Sequence, residues 1–259
     1  MGSWAALLAA TIWVNGLIVE VSPERGTVTV SHREVPGVMP AMAMPVAVKD
    51  RALLRALRPG MLVELELGSK RIKVRKADNS IEEDGRRVAL QAPKETIPPG
   101  GRIPPVSLTN HRGQAISLNQ FTGKVVVVQF LYTRCPMPEV CPRLAATFAA
   151  LQRRFAAQMN KDLVLLSITL DPRYDTVQEL SRYAEIWRTG PGWHFLTGSE
   201  DQIKSAAACF GLVYWPEEGV ITHTSTIGVI GRDGTLSATV EGLGFTARQL
   251  GDLIEQQLK

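Results

Sequence analysis

The chain has 259 residues, 45% of them hydrophobic and 21% charged, which suits one large or two small folded domains and excludes a disordered polypeptide. Three cysteines are too few for a disulfide-stapled scaffold. The net charge of +4 lies in the first 78 residues, where 11 Lys and Arg face 7 Asp and Glu, while the remainder balances at 18 against 18. A charge of that size is weak support for a nucleic-acid or membrane-surface partner.

The opening stretch MGSWAALLAATIWVNG holds an apolar run, Trp4–Val14, too short for a bilayer span of about 20 residues. It has the apolar, Ala-rich character of a secretory signal without the basic start such signals carry. Residues 1–13 are therefore read as a truncated signal segment, which implies a periplasmic or other extracytoplasmic protein, the alternative being that the run is the first strand of the fold. Next come GLIVEV and TVTVSH, two alternating runs about the turn residues SPERG, then the breaker PGVMP and the extended AMAMPVAV. KDRALLRALRPG supplies a short helical turn stopped by Pro59-Gly60, and MLVELELG and RIKVRKA add two more strands. Five short strands predict a small all-β, OB-like barrel over residues 14–78. The basic run Lys70, Arg71, Lys73, Arg75 and Lys76 reads as a solvated edge strand that discourages edge pairing. Few aromatics are available to stack bases, so no nucleic-acid partner is expected.

Residues 79–99, polar and then rich in Pro and Gly, read as a linker. From residue 100 to 259 the pattern becomes α/β. VSLTNHRGQAISL is a hairpin, and KVVVVQFLY and DLVLLSITL are buried strands. Residues 142–159 have helical periodicity, and Thr176 with Glu179 opens a helix towards Trp187. A further helix lies near 200–210, a strand pair turns at Arg232-Asp233-Gly234, and a last helix spans about 246–258. This order predicts a thioredoxin-like domain.

YTRCPMPEVCPRL, residues 132–144, follows the first buried strand and carries Cys135 and Cys141. Pro142 suits the first helical position, so Cys141 is placed at a helix N-terminus, where the dipole favours a thiolate. Thiolates bind soft metals and also attack disulfides, so metal and redox uses both stand at this point. A thioredoxin-type oxidoreductase has a proline in the loop before its third core strand, facing the cysteines. In GVITHTSTIGVI that position is His223, and two sulfurs with one imidazole nitrogen suit copper. Cys209 reads as core, His111 as a turn residue and His194 as pointing out of a strand; Asp171 ends a strand near the cysteines.

Residues 100–259 resemble the SCO/SenC family of copper-binding thioredoxin-like proteins. The matching stretches are GKVVVVQFLYTRCP, the Cys141-Pro142 pair, SITLDPRYDT, WHFLTG and the His223-Thr224 pair before IGVIGRDG. The resemblance implies binding of Cu(I) and Cu(II) through Cys135, Cys141 and His223, a Cys135–Cys141 redox disulfide, and delivery of copper to the dinuclear centre of cytochrome c oxidase. Its implied partners are the oxidase copper-centre subunit, or another copper protein, and a thiol-disulfide reductant. Two departures stand out. The usual C-x3-C is lengthened here to C-P-M-P-E-V-C, and Thr222 stands where the family often has Asp. The longer loop holds Cys135 off the helix and puts Met137 at its tip.

Met42 and Met44, two apart on one strand, share a face, with His32 on the preceding strand. Chemistry alone would let these methionines fill a core. The segment of about residues 14–77 also resembles the small periplasmic copper-binding proteins of the CusF type, with an M-x-M strand and an upstream histidine. That resemblance implies a second copper site at His32, Met42 and Met44, with Met39 where the family has a tryptophan. The expected function is a copper metallochaperone without catalytic residues of its own. The alternative is a thiol-disulfide oxidoreductase; Thr133 is two residues before Cys135, not the three a peroxiredoxin would want.

Overall fold

The computed structural model describes residues 12–67, 71–74, 80–83, 86–89, 91–217 and 219–259. Most of the expected signal segment, together with Lys70, Arg75 and Lys76, lies outside the described residues. Among the described residues two larger sheets share a helix, and two hairpins form small sheets of their own.

The first sheet is antiparallel, in the order β3-β2-β1-β4-β5. Its strands are β1 (Ile12–Ser22), β2 (Thr27–His32), β3 (Met42–Ala47), β4 (Leu62–Leu67) and β5 (Arg71–Val74), with α1 (Arg51–Ala56) between β3 and β4. Alternation sends Val28, Val30, Val46, Val63 and Leu65 into one core with Leu54 and Leu57. Asp50 caps α1 by accepting from the backbone N–H groups of Ala52 (2.8 Å) and Leu53 (3.1 Å). The small all-β domain is as expected, and among the described residues no closed barrel is found. Among the described residues the outer strands β3 and β5 do not pair, and part of the core's apolar cover is helical, from Leu54. The stretch expected as a linker carries a two-stranded ladder, β6 (Ser80–Glu83) with β7 (Arg86–Ala89).

The second sheet has the order β16-β15-β10-β11-β12-β8-β9 and is thioredoxin-like. It comprises β8 (Ser107–Asn110), β9 (Ala115–Ser117), β10 (Val125–Leu131), β11 (Leu163–Thr169), β12 (Trp193–Thr197), β15 (Thr226–Ile230) and β16 (Leu236–Glu241). The helices are α2 (Cys141–Arg154), α3 (Val177–Ile186), α4 (Glu200–Cys209) and α5 (Ala247–Leu258); β13 (Tyr214–Glu217) and β14 (Val220–His223) form a separate hairpin. Every residue of β10 and β11 is buried, which is why both read as unbroken apolar runs. β10–α2–β11–α3–β12 makes two parallel crossovers advancing in one direction, so right-handedness puts α2 and α3 on one face. The chain then reverses, and Phe210 after α4 packs on Phe130, with ring centroids 5.8 Å apart.

Helix α5 is where the sheets meet. Gln249 to Ile254, six residues in a row, are all buried. A helix on the rim of a sheet would show one polar face to water; here that face is covered by β1 and β2. Leu17 and Val19 of β1 join the core of the larger domain. The Ser31 hydroxyl donates to Asp252 Oδ2 (2.5 Å), and Gln249 Nε2 donates to the Ser31 carbonyl (3.0 Å). Gly60, at φ 93°, passes so close to β16 that a Cβ there would lie 2.6 Å from the Thr239 carbonyl oxygen.

His194 does not point freely out of its strand. Its ring stacks on Phe121 (6.2 Å, 26°) and faces His111 (6.4 Å), because β8 and its turn cover that side of β12. Burial, then the neighbouring His111, pulls its pKa from 6.5 to about 4. The folded state therefore binds fewer protons than the unfolded chain between those values, and stability falls as pH drops from 6.5 to about 4. In His194→Phe, which keeps the stacking, melting temperature should lose less over that interval than in the parent, as thermal melts across pH would measure.

Candidate functional site

Strand β10 ends at Leu131, and the chain then turns through Tyr132, Thr133 and Arg134 to Cys135. Sites at the carboxyl ends of parallel strands are the usual product of this architecture. The turn is clamped from the loop that follows β11. Asp175, fully buried, accepts from the Thr133 N–H (3.1 Å), the Thr133 hydroxyl and the Thr169 hydroxyl (2.5 Å). Asp171 Oδ2 holds Arg134 Nε at 2.6 Å, and the Arg134 guanidinium lies over the Tyr174 ring at 4.8 Å. The motif SITLDPRYDT thus acts through its two carboxylates as the anchor of the cysteine turn. Asp171 pairs with Arg134, the residue before Cys135. Asp175 directly precedes Thr176, the N-cap of α3, and nothing in its local spacing marks it as a partner of the cysteine turn.

Cys141 opens α2 with Pro142 behind it, as the sequence implied. Its acidity is the reverse of that expectation. The sulfur is fully buried, and burial raises the thiol pKa well above its ordinary value, with Cys135 and Asp175 adding to the rise. A helix N-terminus stabilises an anion by about 0.3–1 kcal/mol, under one pKa unit, whereas burial shifts a group by up to several. Burial wins, and Cys141 is held as a thiol. Cys135 is half-buried and close enough to hydrogen-bond with Cys141, and its own Sγ donates to the Met137 carbonyl at 3.8 Å. Both are free thiols. Met137 is exposed at the loop tip, and Cys209 is a core thiol whose Sγ donates to the Ser205 carbonyl.

Tyr132 connects the cysteines to the histidine. It is buried, hydrogen-bonds with Cys135, and accepts at its hydroxyl from the Ile221 N–H (3.3 Å) in the β13–β14 hairpin. Burial lifts its pKa to about 12, so the phenol stays neutral. Its ring meets His223 edge to face at 6.4 Å. The sequence hid this role, since Tyr132 reads as the last residue of an apolar run. His223 ends β14; Thr222 beside it donates to Glu217 across the hairpin (2.7 Å). The structure brings Cys135 and Cys141 together and sets His223 beyond Tyr132. Among the described residues, no three His, Cys, Asp or Glu side chains converge closely enough to hold a metal ion.

The remaining candidates sit on the first sheet. His32 pairs across the ladder with Met42, and Val30 with Met44, so His32, Met42 and Met44 share one face at one end of the β2–β3 pair. His32 is fully buried, Met44 half-buried and Met42 40% exposed, which leaves the group open on one side. Met39 lies just before, bridged to Val35.

One feature joins the two histidines. His223 Nδ1 contacts the Thr224 carbonyl (2.9 Å), and His32 Nδ1 contacts the Arg33 carbonyl (2.6 Å). A carbonyl only accepts, so each Nδ1 carries the proton and each Nε2 presents a bare lone pair. Both Nε2 atoms are buried without a hydrogen-bond partner. Burial lowers the His223 pKa, which keeps that lone pair free. An orphaned buried acceptor costs about 1–3 kcal/mol, and a ring fixed by the carbonyl of the next residue is the arrangement metal-ligating histidines adopt.

These features define a thioredoxin-fold protein with a cysteine pair at the end of its central strand and a histidine facing it across a tyrosine. The SCO1/SenC family model matches residues 98–258, and the chain belongs to that family. The model of the copper-binding periplasmic protein CusF matches residues 11–71. The SCO1 protein homolog of Bacillus subtilis is 29% identical over 56% of this chain and 76% of its own length. The mitochondrial SCO1 homolog of Homo sapiens is 27% identical over 75% of this chain and 62% of its own. Among solved structures, a SCO1/SenC family lipoprotein from Bacillus anthracis superposes with a TM-score of 0.55 at 24% identity, over 66% of this chain and all of that one. BsSco, described as carrying a disulfide switch and as a member of the Sco family of cytochrome c oxidase assembly proteins, gives 0.53 at 25% identity, over 64% and 98%. Arabidopsis thaliana ScoI with copper bound gives 0.52 at 24% identity, over 59% and 96%.

Three thiols in different settings give a direct check. Alkylation of the folded, reduced protein should modify Cys135 quickly and leave the buried Cys141 and Cys209 until unfolding, as peptide mass spectrometry would read. Equal labelling of Cys135 and Cys141 would contradict the burial described.

Proposed function

We propose that this chain is an extracytoplasmic copper metallochaperone with two soft sites. One uses Cys135, Cys141 and His223; the other uses His32, Met42 and Met44. The single observation that carries the reading is the pair of buried Nε2 lone pairs, one in each domain and each without a partner. Thiolate, thioether and imidazole together make a soft donor set that suits copper over harder cations. Copper would supply at the cysteine site the positive charge that stabilises a buried Cys141 thiolate. The metal therefore takes the place of the thiol proton, and binding there should strengthen as pH rises. His223, with its lowered pKa, stays available as a neutral ligand.

The supported recipient is the dinuclear copper centre of cytochrome c oxidase, from membership of the SCO1/SenC family and from the description of BsSco as an oxidase assembly protein. The close approach of Cys135 and Cys141 also suits a reversible disulfide between them, which would release copper because a disulfide sulfur is no longer a thiolate. No helix among the described residues is long and apolar enough to cross a membrane. Export is supported by the apolar run at the start of the chain and by the periplasmic CusF match.

The reduced chain should bind two Cu(I) ions, and Met42→Leu with Met44→Leu, a volume-conserving change, should bind one. Cu(II) at the cysteine site should give an intense sulfur-to-copper absorption that His223→Ala shifts and weakens. If His223→Ala leaves both spectrum and affinity unchanged, the ligand assignment is wrong. Mixing the loaded chain with the apo copper-binding domain of the oxidase subunit should transfer copper, read by the recipient's own absorption. Robust thiol-disulfide turnover undiminished in His223→Ala would favour the oxidoreductase instead.

A further inference from the structure

The two sites are not at opposite ends of the molecule. Ser31, next to His32, is tied to α5 through Asp252 and Gln249. Helix α5 packs against α2, the helix that Cys141 opens, and Arg154 near the end of α2 pairs with Asp252 at 2.7 Å. The segment Leu243-Gly244-Phe245, leading into α5, is held from both sides. Arg33, adjacent to His32, donates to the Gly244 carbonyl at 3.1 Å. Arg143, two residues after Cys141, donates through one nitrogen to the Leu243 carbonyl (2.7 Å) and the Phe245 carbonyl (2.8 Å). Three successive carbonyls span about 7 Å of chain. The side chains flanking the two candidate sites thus end on one short strap. The open sides agree with this layout: Met42 is 40% exposed at one site, and Cys135 is half-buried at the other.

We propose that one Cu(I) ion passes within a single molecule from the His32–Met42–Met44 set to the Cys135–Cys141 pair, across the strap of residues 243–245. The inference rests on both sites binding copper and adds that the chain is a two-station relay. The donor chemistry sets the direction. Cu(I) leaves one neutral imidazole nitrogen and two neutral thioethers and forms bonds to two thiolates. The Cys135 and Cys141 protons go to solvent, copper stays Cu(I), and no electron moves. Anionic sulfur holds the cation more tightly than neutral sulfur, so the transfer runs downhill toward the cysteines. Fixing the domains through α5 replaces a bimolecular encounter with an intramolecular one, which raises the effective concentration of acceptor without any new contact.

The test uses the full chain with Cys135 and Cys141 oxidised to a disulfide and one Cu(I) loaded. Adding a water-soluble phosphine frees the thiols, and growth of the Cu(I)–thiolate ultraviolet absorption follows the transfer. The reference is a mixture of two full chains, Cys135→Ser/Cys141→Ser loaded with Cu(I) and Met42→Leu/Met44→Leu empty. The expected result is a half-time for the single chain that does not change on dilution, while that of the mixture lengthens in proportion. Arg33→Ala, which removes the Gly244 contact, should lengthen the single-chain half-time while leaving the copper stoichiometry at two. A single-chain half-time that lengthens on dilution as the mixture's does would overturn the relay while leaving both sites standing. Failure of Cys135→Ser/Cys141→Ser to bind any Cu(I) would instead remove the first station, and the proposed function of the first sheet with it.

Discussion

The burial of α5 on all sides is the constraint on which the arrangement depends. A terminal helix of a thioredoxin-like sheet ordinarily keeps one face in water; here six consecutive residues, polar Gln249 and Asp252 among them, are shut between two sheets. Buried polar groups need partners, and both find them: Gln249 on the Ser31 carbonyl, Asp252 on the Ser31 hydroxyl and on Arg154. Those bonds fix the first sheet against the second in one register. They also fix where His32, the next residue after Ser31, stands relative to α2 and its cysteines.

The two histidines share one local arrangement. Each ring is oriented by a carbonyl one residue further along its own strand, so the tautomer is set locally and needs no distant partner. What tertiary structure adds is the exclusion of water from Nε2. The resulting orphan acceptors, one in each domain, are destabilising by themselves. On the cysteine side, Cys141 is buried as a thiol beside Cys135 and Asp175, a setting that disfavours the free anion.

Tyr132 and the β13–β14 hairpin hold the third candidate donor apart from the first two. The hairpin forms its own two-stranded sheet, joined to the cysteine turn through the Tyr132 hydroxyl. Asp171 and Asp175 secure the other side of that turn. The lengthened cysteine loop therefore hangs between two anchors, one acidic and one phenolic, with Met137 exposed at its tip.

The sequence by itself determined the order and type of most elements, because those signals are local, though not the β6–β7 and β13–β14 hairpins. The unbroken apolar runs of β10 and β11, Asp50, Thr176 and Ser199 at helix starts, and Gly113 in the β8–β9 turn each act within a few residues. It also carried the six candidate donors and the SCO/SenC motifs, since those residue types and spacings are fixed by chemistry. Tertiary structure decided what depends on residues far apart in the chain. It turned Cys141 from a helix-stabilised anion into a buried thiol, drew His194 under Phe121, and brought Asp175 to the cysteine turn. It also brought Arg33 and Arg143, which flank the two candidate sites, onto one strap. Burial and long-range hydrogen bonds govern each of these, and neither is written in the spacing of neighbouring residues.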